Sequence, residues 1–334
     1  MKYILPLLSI AFLFNACRSK HEVDISEVNI SLEVIDMSKA IMDSTLNKGG
    51  TQFDELLSKH PEFMKVYVEE IFQLGNIEDS AAVNEALYYL VSAPEMQALY
   101  SQTKTTFSEQ IVENLEIAFK YLKYHFPEMP LPKIYKHLGR FQYAAFSGSN
   151  YLAIASEMTL GMSNQYMKTS GLPQYVCRKL DNKHMPIHAM QSHLLSTFAQ
   201  VKKEQLIDYM IYNGKILYAL DACFPSSADS LKIGYQKGKI EWCYNNQDQI
   251  WAWLLKHNLL YSTQQMEFLK FTTDGPNTAG MPPEAPGNIA SWVGWQIVRA
   301  YMETHPKTTL KELFTKPGLQ QSQVLLSKSG YKPN

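Results

Sequence analysis

This 334-residue sequence has no excess of charge of either sign. Lysine and arginine number 31, aspartate and glutamate number 32, and the formal net charge is −1. A nucleic-acid-binding protein would need a basic patch to balance phosphate charge, and the chain has no such run of cations. The composition therefore argues against nucleic acid as a partner.

Motifs that bind nucleotides or activate a serine are also missing. The chain contains no Walker phosphate loop, no Gly-x-Gly-x-x-Gly after a strand and no Gly-x-Ser-x-Gly turn. We therefore predict no cofactor. The stretch "FSGSNY" at residues 146–151 combines serine and glycine, but a β-hairpin turn accounts for that composition.

Cysteine is scarce as well, with four in the whole chain. Apart from Cys17, the sequence holds Cys177, Cys223 and Cys243, an odd number without any Cys-x-x-Cys spacing. Such cysteines are typical of small buried hydrophobic side chains, and they leave room for one optional disulfide.

The only long apolar run lies at the N-terminus, in "MKYILPLLSIAFLFNACRSK". It follows Lys2 and is shorter than the ~20 residues that a membrane-spanning helix needs. Its ending on Ala16-Cys17 resembles a bacterial lipobox, whose cysteine is acylated after cleavage. We predict a lipoprotein signal peptide at 1–16, a tether at 17–27 lipidated on Cys17, and a membrane anchor that does not span the bilayer. The alternative is an ordinary signal peptide with an incidental cysteine.

The rest of the chain reads as mainly helical. Alternating apolar residues predict a strand at 28–36, and helices follow in 51–75, 80–92 and 93–103. The clearest amphipathic helix covers 107–126 and stops at Pro127. Further helices are predicted at 186–200, 204–220, 246–257, 263–270 and 288–304, the last capped by Asn288.

Between these helices the hydrophobic period changes to two. Strand-like stretches flank "SGSN", so we expect a hairpin that turns near Gly148-Ser149. The predicted fold for residues 28–334 is therefore one mainly α domain with a small antiparallel β-sheet, in the α+β class. The Pro/Gly-rich stretch 274–287 is predicted to be an ordered surface loop, with a lid or partner-binding loop as the alternative.

Several segments together resemble the gliding-motility lipoprotein GldB family of Bacteroidota. They are "YAAFSGSNYLAIASEMTLG", "LIDYMIYNGKILYALDACFP", "IEWCYNNQDQIWAWLLKHNLLYS", "PGNIASWVGWQIVRAYM" and the closing "KSGYKPN". The resemblance implies a membrane lipoprotein of the gliding and protein-secretion machinery. Such a protein would face mainly the periplasm of the cell envelope and bind other envelope proteins. The oligomeric state stays open.

The family in turn looks like a distant relative of zincin-type metallopeptidases. In those enzymes a hairpin or sheet edge precedes a His-Glu-x-x-His helix, and a glutamate on a later helix completes the zinc site. In this chain His184 and His188 have the i, i+4 spacing, but Met185 replaces the glutamate base, and Pro186 places His184 at the helix start. His193 lies five residues beyond His188, about 140° around a regular helix.

The later helix departs from the peptidase pattern too, because it carries Asn213-Gly214 and then Lys215 where a glutamate would be needed. We therefore expect a zincin-like scaffold with a degenerate site and no enzymatic activity. The alternative is a zinc metallopeptidase-like enzyme that uses His184, His188 or His193. Its candidate carboxylates are Asp208, Asp221 and Glu284.

Two binding hypotheses accompany this reading. A partner segment could add as a strand beside residues 151–156. A weaker alternative is a small ligand or glycan bound by the aromatics Trp242, Trp251 and Trp253, although buried ring positions on helices explain these residues more simply.

Overall fold

A computed structural model describes residues 23–42, 52–198 and 204–333 of the chain. The predicted signal peptide and Cys17 lie outside these described residues. The core element is a four-stranded sheet made of β1 (Val34–Asp36), β2 (Lys133–His137), β3 (Ala145–Ser147) and β4 (Tyr151–Ala155), in the order β1-β2-β4-β3.

The sheet is mixed, which corrects the predicted antiparallel sheet. β1 pairs with β2 and β2 pairs with β4 in parallel, and only the β3–β4 hairpin is antiparallel. The hairpin at Gly148-Ser149 is therefore confirmed. Parallel pairing between β1 and β2 requires a long helical crossover, and a period of two cannot show the direction in which distant strands pair.

Seventeen α-helices lie within the described ranges, most of them short. Their bounds are α1 Met37–Met42, α2 Gln52–Lys59, α3 Pro61–Val66, α4 Ser80–Ser92, α5 Pro94–Thr106, α6 Gln110–His125, α7 Gln165–Thr169, α8 Gln174–Cys177, α9 Met185–Thr197, α10 Leu206–Cys223, α11 Asp229–Ile233, α12 Lys237–Asn245, α13 Gln247–Lys256, α14 Gln265–Thr272, α15 Ile289–Thr304, α16 Leu310–Thr315 and α17 Ser322–Ser329. A π-helical turn occupies Tyr67–Ile71, and 3₁₀ turns occupy Ser156–Thr159 and Pro317–Gln320.

The major predicted helices are confirmed, with ends that shift by a few residues. The predicted strand at 28–36 is confirmed only over its last three residues, Val34–Asp36, which pair with β2. The structure also corrects the cap of α15. Asn288 precedes the helix in a left-handed conformation, and its side chain accepts a hydrogen bond from the Ser291 hydroxyl (2.6 Å) rather than from a backbone N–H.

Hydrophobic side chains cover the sheet on both faces. Leu152 and Ile154 of β4 join the larger core, which includes residues of α6, α9, α10 and α15. Tyr151 and Ala153 face a second core built from α1 to α5 and the π-helical turn. Every residue of β4 is buried for this reason, and the strand shows no polar alternation.

This burial and the strand order argue against the predicted addition of a partner strand beside residues 151–156. Because β4 lies between β2 and β3, no further strand can pair beside residues 151–155. The open edges of the sheet belong to β1 and β3.

The larger core centres on the crossing of α10 and α15. Gly214 and Gly294 meet there, and a Cβ added at Gly294 would lie 1.7 Å from the carbonyl oxygen of Met210. Trp292 and Trp295 of α15 are fully buried. This crossing fixes α10 against α9, and thereby positions the residues between them.

Candidate functional site

The first turn of α9 places His184 and His188 next to each other at the surface of the larger core. His184 is the residue that precedes the helix, and Pro186 lies in the first turn, as predicted. Asp181 holds His184 in place, because its Oδ1 accepts from the backbone N–H (2.9 Å) and lies 2.7 Å from ring Nδ1. Partial burial opposes ionisation of Asp181, but these hydrogen bonds outweigh it and lower the pKa of the carboxyl.

His188 is half-buried, and its Nε2 lies 2.8 Å from the carbonyl oxygen of Lys179. A carbonyl can only accept, so Nε2 carries the proton. Burial lowers the pKa of His188 to about 4, with the bond to Lys179 acting in the opposite direction. The neutral imidazole is thus fixed in one tautomer and already uses one of its two nitrogens.

His193 lies elsewhere, on the inner side of α9. Its ring packs edge-on against Phe119 of α6, with 5.1 Å between ring centroids, and its Nε2 has no hydrogen-bond partner among the described residues. Burial lowers the pKa of His193 to about 4 as well. The structure therefore brings His184 and His188 together, with ring centroids 6.3 Å apart, but leaves His193 on another face.

The three carboxylates considered as further zinc ligands are engaged in separate places. Asp208 accepts from the backbone N–H of Gln205 (3.0 Å) in the capping box of α10. Asp221 is fully buried and pairs with Lys232 and Arg299, whereas Glu284 is exposed in its loop. Across the described ranges, no group of three His, Cys, Asp or Glu side chains is placed to hold a metal ion.

Asn213 and Lys215, at the position of the missing glutamate, have structural partners. The Asn213 amide donates to the Ser291 hydroxyl of α15 (2.9 Å). The buried Lys215 amine donates to the carbonyl of Leu319 (2.6 Å), and burial lowers its pKa to about 8. Lys215 therefore fixes the C-terminal segment to α10 and does not place its charge beside the histidines.

The histidines open onto a polar cleft, hereafter the histidine cleft, formed by two adjoining cavities. The outer cavity has a volume of about 470 Å³ and is lined by His184, Arg178, Tyr235 and Lys239 among others. The inner one, of about 320 Å³, is lined by His188, Gln191, Asn213, Lys232 and Ser291 among others. Lys179, Gly234 and Asp274 line both cavities and mark their junction.

Positive charge predominates in the outer cavity. Lys179 forms an ion pair with Asp274 (2.8 Å) at the junction, and Lys239 donates to the carbonyl of Pro283 (2.6 Å). The guanidinium of the exposed Arg178 donates to the side-chain oxygen of Gln174 at 3.3 Å. A cleft with these cations favours a ligand with an acidic group.

Sequence reasoning found the histidines of this cleft but not its cations. Lys179, Lys239 and Asp274 lie far apart in the chain, on a loop, on α12 and after α14, so no spacing links them. The one sequence feature that pointed to the cleft was the loop 274–287, which was predicted to be ordered. It closes on itself through Thr278, whose hydroxyl donates to the Pro286 carbonyl (2.5 Å), and both of its ends line the cleft.

The cysteines and tryptophans belong to the packing of the core. Cys177, Cys223 and Cys243 are buried and free, so the optional disulfide is not formed, and burial raises the thiol pKa of both Cys223 and Cys243 to about 12. Trp251 packs edge-on against Tyr331, and Trp253 stacks on His257. With Trp242, these tryptophans are partly buried against the larger core.

Comparison with known proteins identifies a relationship for nearly the whole chain. A family model described as "Gliding motility protein GldB" matches residues 18–333. The curated proteins and the solved structures give no significant match. The likeness to zincin-type peptidases therefore stays a prediction. In the described ranges, no helix combines the length and the apolar character needed to cross a bilayer.

Proposed function

The chain belongs to the gliding motility protein GldB family, and on that premise we propose that it is a non-enzymatic lipoprotein that binds another envelope protein in the histidine cleft. Family membership implies involvement in gliding motility, and the family label suggests a membrane-anchored envelope protein. The proposal adds the anchor at Cys17, a mainly periplasm-facing body and a role without catalysis in the gliding or secretion apparatus.

The position of His193 against Phe119, away from His184 and His188, is the observation that supports a non-catalytic role most strongly. A zinc peptidase using His184, His188 and His193 would have to rotate His193 away from Phe119 and supply a general base where Met185 stands. A cleft that binds a partner needs neither change. It requires a rigid wall and accessible polar groups, which Lys179, Lys239 and Arg178 provide.

The charge of the outer cavity indicates the chemistry of the partner. An acidic segment would compete with the Pro283 carbonyl for Lys239 and would approach Arg178 directly. Charge-assisted hydrogen bonds of this type are stronger than neutral ones. We therefore expect the bound segment to carry aspartate, glutamate or a free C-terminal carboxylate.

Complementation in a gliding host that lacks the gene tests the role of the cleft. We expect Lys239→Glu to abolish gliding, because it replaces a cation with an anion and cancels the net positive charge of the outer cavity. Lys237→Glu on the same helix is the matched control, since Lys237 is 88% exposed and lies outside the cleft. Normal gliding with Lys239→Glu would contradict docking in the cleft, and normal gliding and secretion without the gene would contradict the wider role.

Metabolic labelling with an alkyne fatty acid tests the anchor separately. The wild-type protein should become labelled, and Cys17→Ser should not. Equal labelling of the two proteins, or no labelling of the wild type, would contradict lipidation at Cys17.

A further inference from the structure

β3 is an edge strand: β4 pairs with it on one side, and no strand of the described chain pairs with its other side. Ala144 and Gly148 bond to β4 through their backbone groups, at 3.0 Å in each case. Because antiparallel pairing alternates, the N–H and C=O groups of Ala145 and Ser147 point away from β4. No hydrogen bond joins these outward groups to any other described part of the chain. An open edge of this kind can accept another strand.

A cavity of about 400 Å³ lies directly beside this edge, and we call it the edge groove. Its walls come from α3, the π-helical turn and the β3–β4 hairpin: Glu62, Val66, Glu70, Ile71, Tyr143, Phe146, Ser147, Gly148 and Tyr151. Tyr143 is 55% exposed and forms the outer rim. A Cβ added at Gly148 would lie 2.1 Å from the Tyr151 ring, so glycine lets the hairpin pack tightly against this wall.

The edge groove combines aromatic rings with negative charge. Glu62 accepts hydrogen bonds from the Ser149 backbone N–H (2.9 Å) and hydroxyl (2.6 Å), which fix its carboxylate at the groove. Within the described ranges, neither Glu62 nor Glu70 forms an ion pair. Burial together with these two carboxylates raises the pKa of Tyr151 to about 12, consistent with a negative potential in the groove.

We propose that the edge groove binds an extended segment of an envelope protein, which adds as a strand to β3 and places a lysine or arginine side chain in the groove. Main-chain hydrogen bonds to Ala145 and Ser147 would supply affinity, and the groove would select the side chain. A cation there gains from Glu62 and Glu70, and it can lie over the faces of Tyr143 and Phe146.

This inference rests on the proposed function only for the class of partner, an envelope protein. It is independent of the histidine cleft, which has the opposite charge preference and is built from other elements. A partner with separate acidic and basic segments could therefore engage both surfaces, and each surface is tested separately.

Fluorescence anisotropy with the full-length protein in detergent micelles tests the inference. The probes are labelled peptides Thr-Val-Thr-X-Thr-Val-Thr, in which X is arginine, lysine, glutamine or glutamate. We expect the arginine and lysine peptides to bind at least about tenfold more tightly than the glutamate peptide, with affinity falling as salt rises. Backbone N-methylation of alternate residues should abolish binding, because it blocks strand addition.

Substitutions in the protein test whether the peptides bind in the edge groove. Glu70→Gln should weaken the arginine peptide by about fivefold or more, whereas Glu55→Gln, at an exposed position on α2, and Lys239→Glu in the histidine cleft should leave it unchanged. Equal affinity for the arginine and glutamate peptides, full binding of the N-methylated peptide, or no binding at millimolar concentration would overturn the inference. Because Lys239→Glu is scored by gliding, failure here would leave the histidine cleft proposal standing.

Discussion

Buried ionisable side chains set the pH response of this protein at the scale of single residues. Burial lowers the pKa of His137, His188 and His193 to about 4 each. Burial also raises the pKa of Glu157 to about 7, although the backbone N–H groups of Gly139 and Phe141 donate to its carboxylate and act against the rise. The three histidines and Glu157 therefore change the free energy of unfolding in opposite directions as pH changes.

The sign of each contribution follows from which state binds more protons. Between pH 4 and 6.5 the unfolded chain protonates the three histidines more readily, so acidification lowers the free energy of unfolding. Glu157 acts in reverse: its contribution is fully present below about pH 4.5 and is lost as pH rises to about 7. With three histidines against one glutamate, we expect stability to fall between pH 6.5 and pH 4.5.

Replacing His193 separates its contribution from the others. His193→Leu should flatten this pH dependence and remove up to about 3 kcal/mol of the acid destabilisation, the equivalent of a shift from 6.5 to about 4. Urea unfolding at a series of pH values measures the slope. A slope identical to that of the wild type would show that His193 does not titrate with folding.

Asp221 is the residue on which the buried charge network of the larger core depends. Its carboxylate accepts from Lys232 (2.8 Å), the Trp295 indole N–H (2.9 Å) and both Nε and NH2 of Arg299. The Arg299 guanidinium also lies 3.8 Å from the centroid of the Trp295 ring and pairs with Asp229. Removing the Asp221 charge would leave Lys232 and Arg299 with the single carboxylate of Asp229 between them.

We therefore expect Asp221→Asn to lower the free energy of unfolding by about 3–5 kcal/mol, because it breaks a buried ion pair and leaves the charge of buried Lys232 only partly compensated. Asp248→Asn on α13, at an exposed position, should change it by less than about 0.5 kcal/mol. Chemical denaturation of both variants makes the comparison. Equal, small effects would mean that the network contributes little net stability.

At the scale of elements, the decisive contact is the crossing of α10 and α15. Gly214 and Gly294 allow their backbones to touch, and an added Cβ at Gly214 would lie 2.3 Å from the Gly294 carbonyl oxygen. The sequence-based interpretation of Asn213-Gly214 as the remnant of a zinc-ligand position overlooked this packing role. A glycine in a helix shows its purpose only when the facing helix is known.

Gly294→Ala should destabilise the protein by roughly 3 kcal/mol or more, since the backbone of α10 cannot move away without opening the core. Gly238→Ala on α12 is the matched control, because nothing lies within 4 Å of its added Cβ. That substitution should stabilise by about 0.5–1 kcal/mol through helix propensity. Thermal unfolding of the pair would contradict this account if both alanines were tolerated equally.

The sequence predicted the elements better than their arrangement. Strong apolar periodicity predicted α6, α10 and α15, and Pro186 placed the start of α9. The short helices α11 and α12 were missed because they span only five and nine residues. The parallel pairing of β1 with β2 joins strands about one hundred residues apart, and that contact leaves no local signal.

At the scale of the whole molecule, the sequence predicted the histidines of the candidate site but not the charged residues around them. The histidine spacing indicated where α9 would expose His184 and His188, but the cleft also needs Lys179, Asp274 and Lys239, which the fold brings together from separate segments. The edge groove likewise depends on β3 being an outer strand, which only the sheet order reveals. The spacing of residues in a sequence cannot predict a site that is formed by tertiary contacts between distant segments.

The central claim is that the histidine cleft binds a partner and does not perform metal-dependent hydrolysis. The most direct test is the zinc content of the full-length protein in detergent, measured by elemental mass spectrometry after zinc loading and exchange into zinc-free buffer. We predict no retained stoichiometric zinc and no difference between the wild type and His188→Ala. One retained ion per chain that disappears in His188→Ala would contradict the account and establish a metal site at α9.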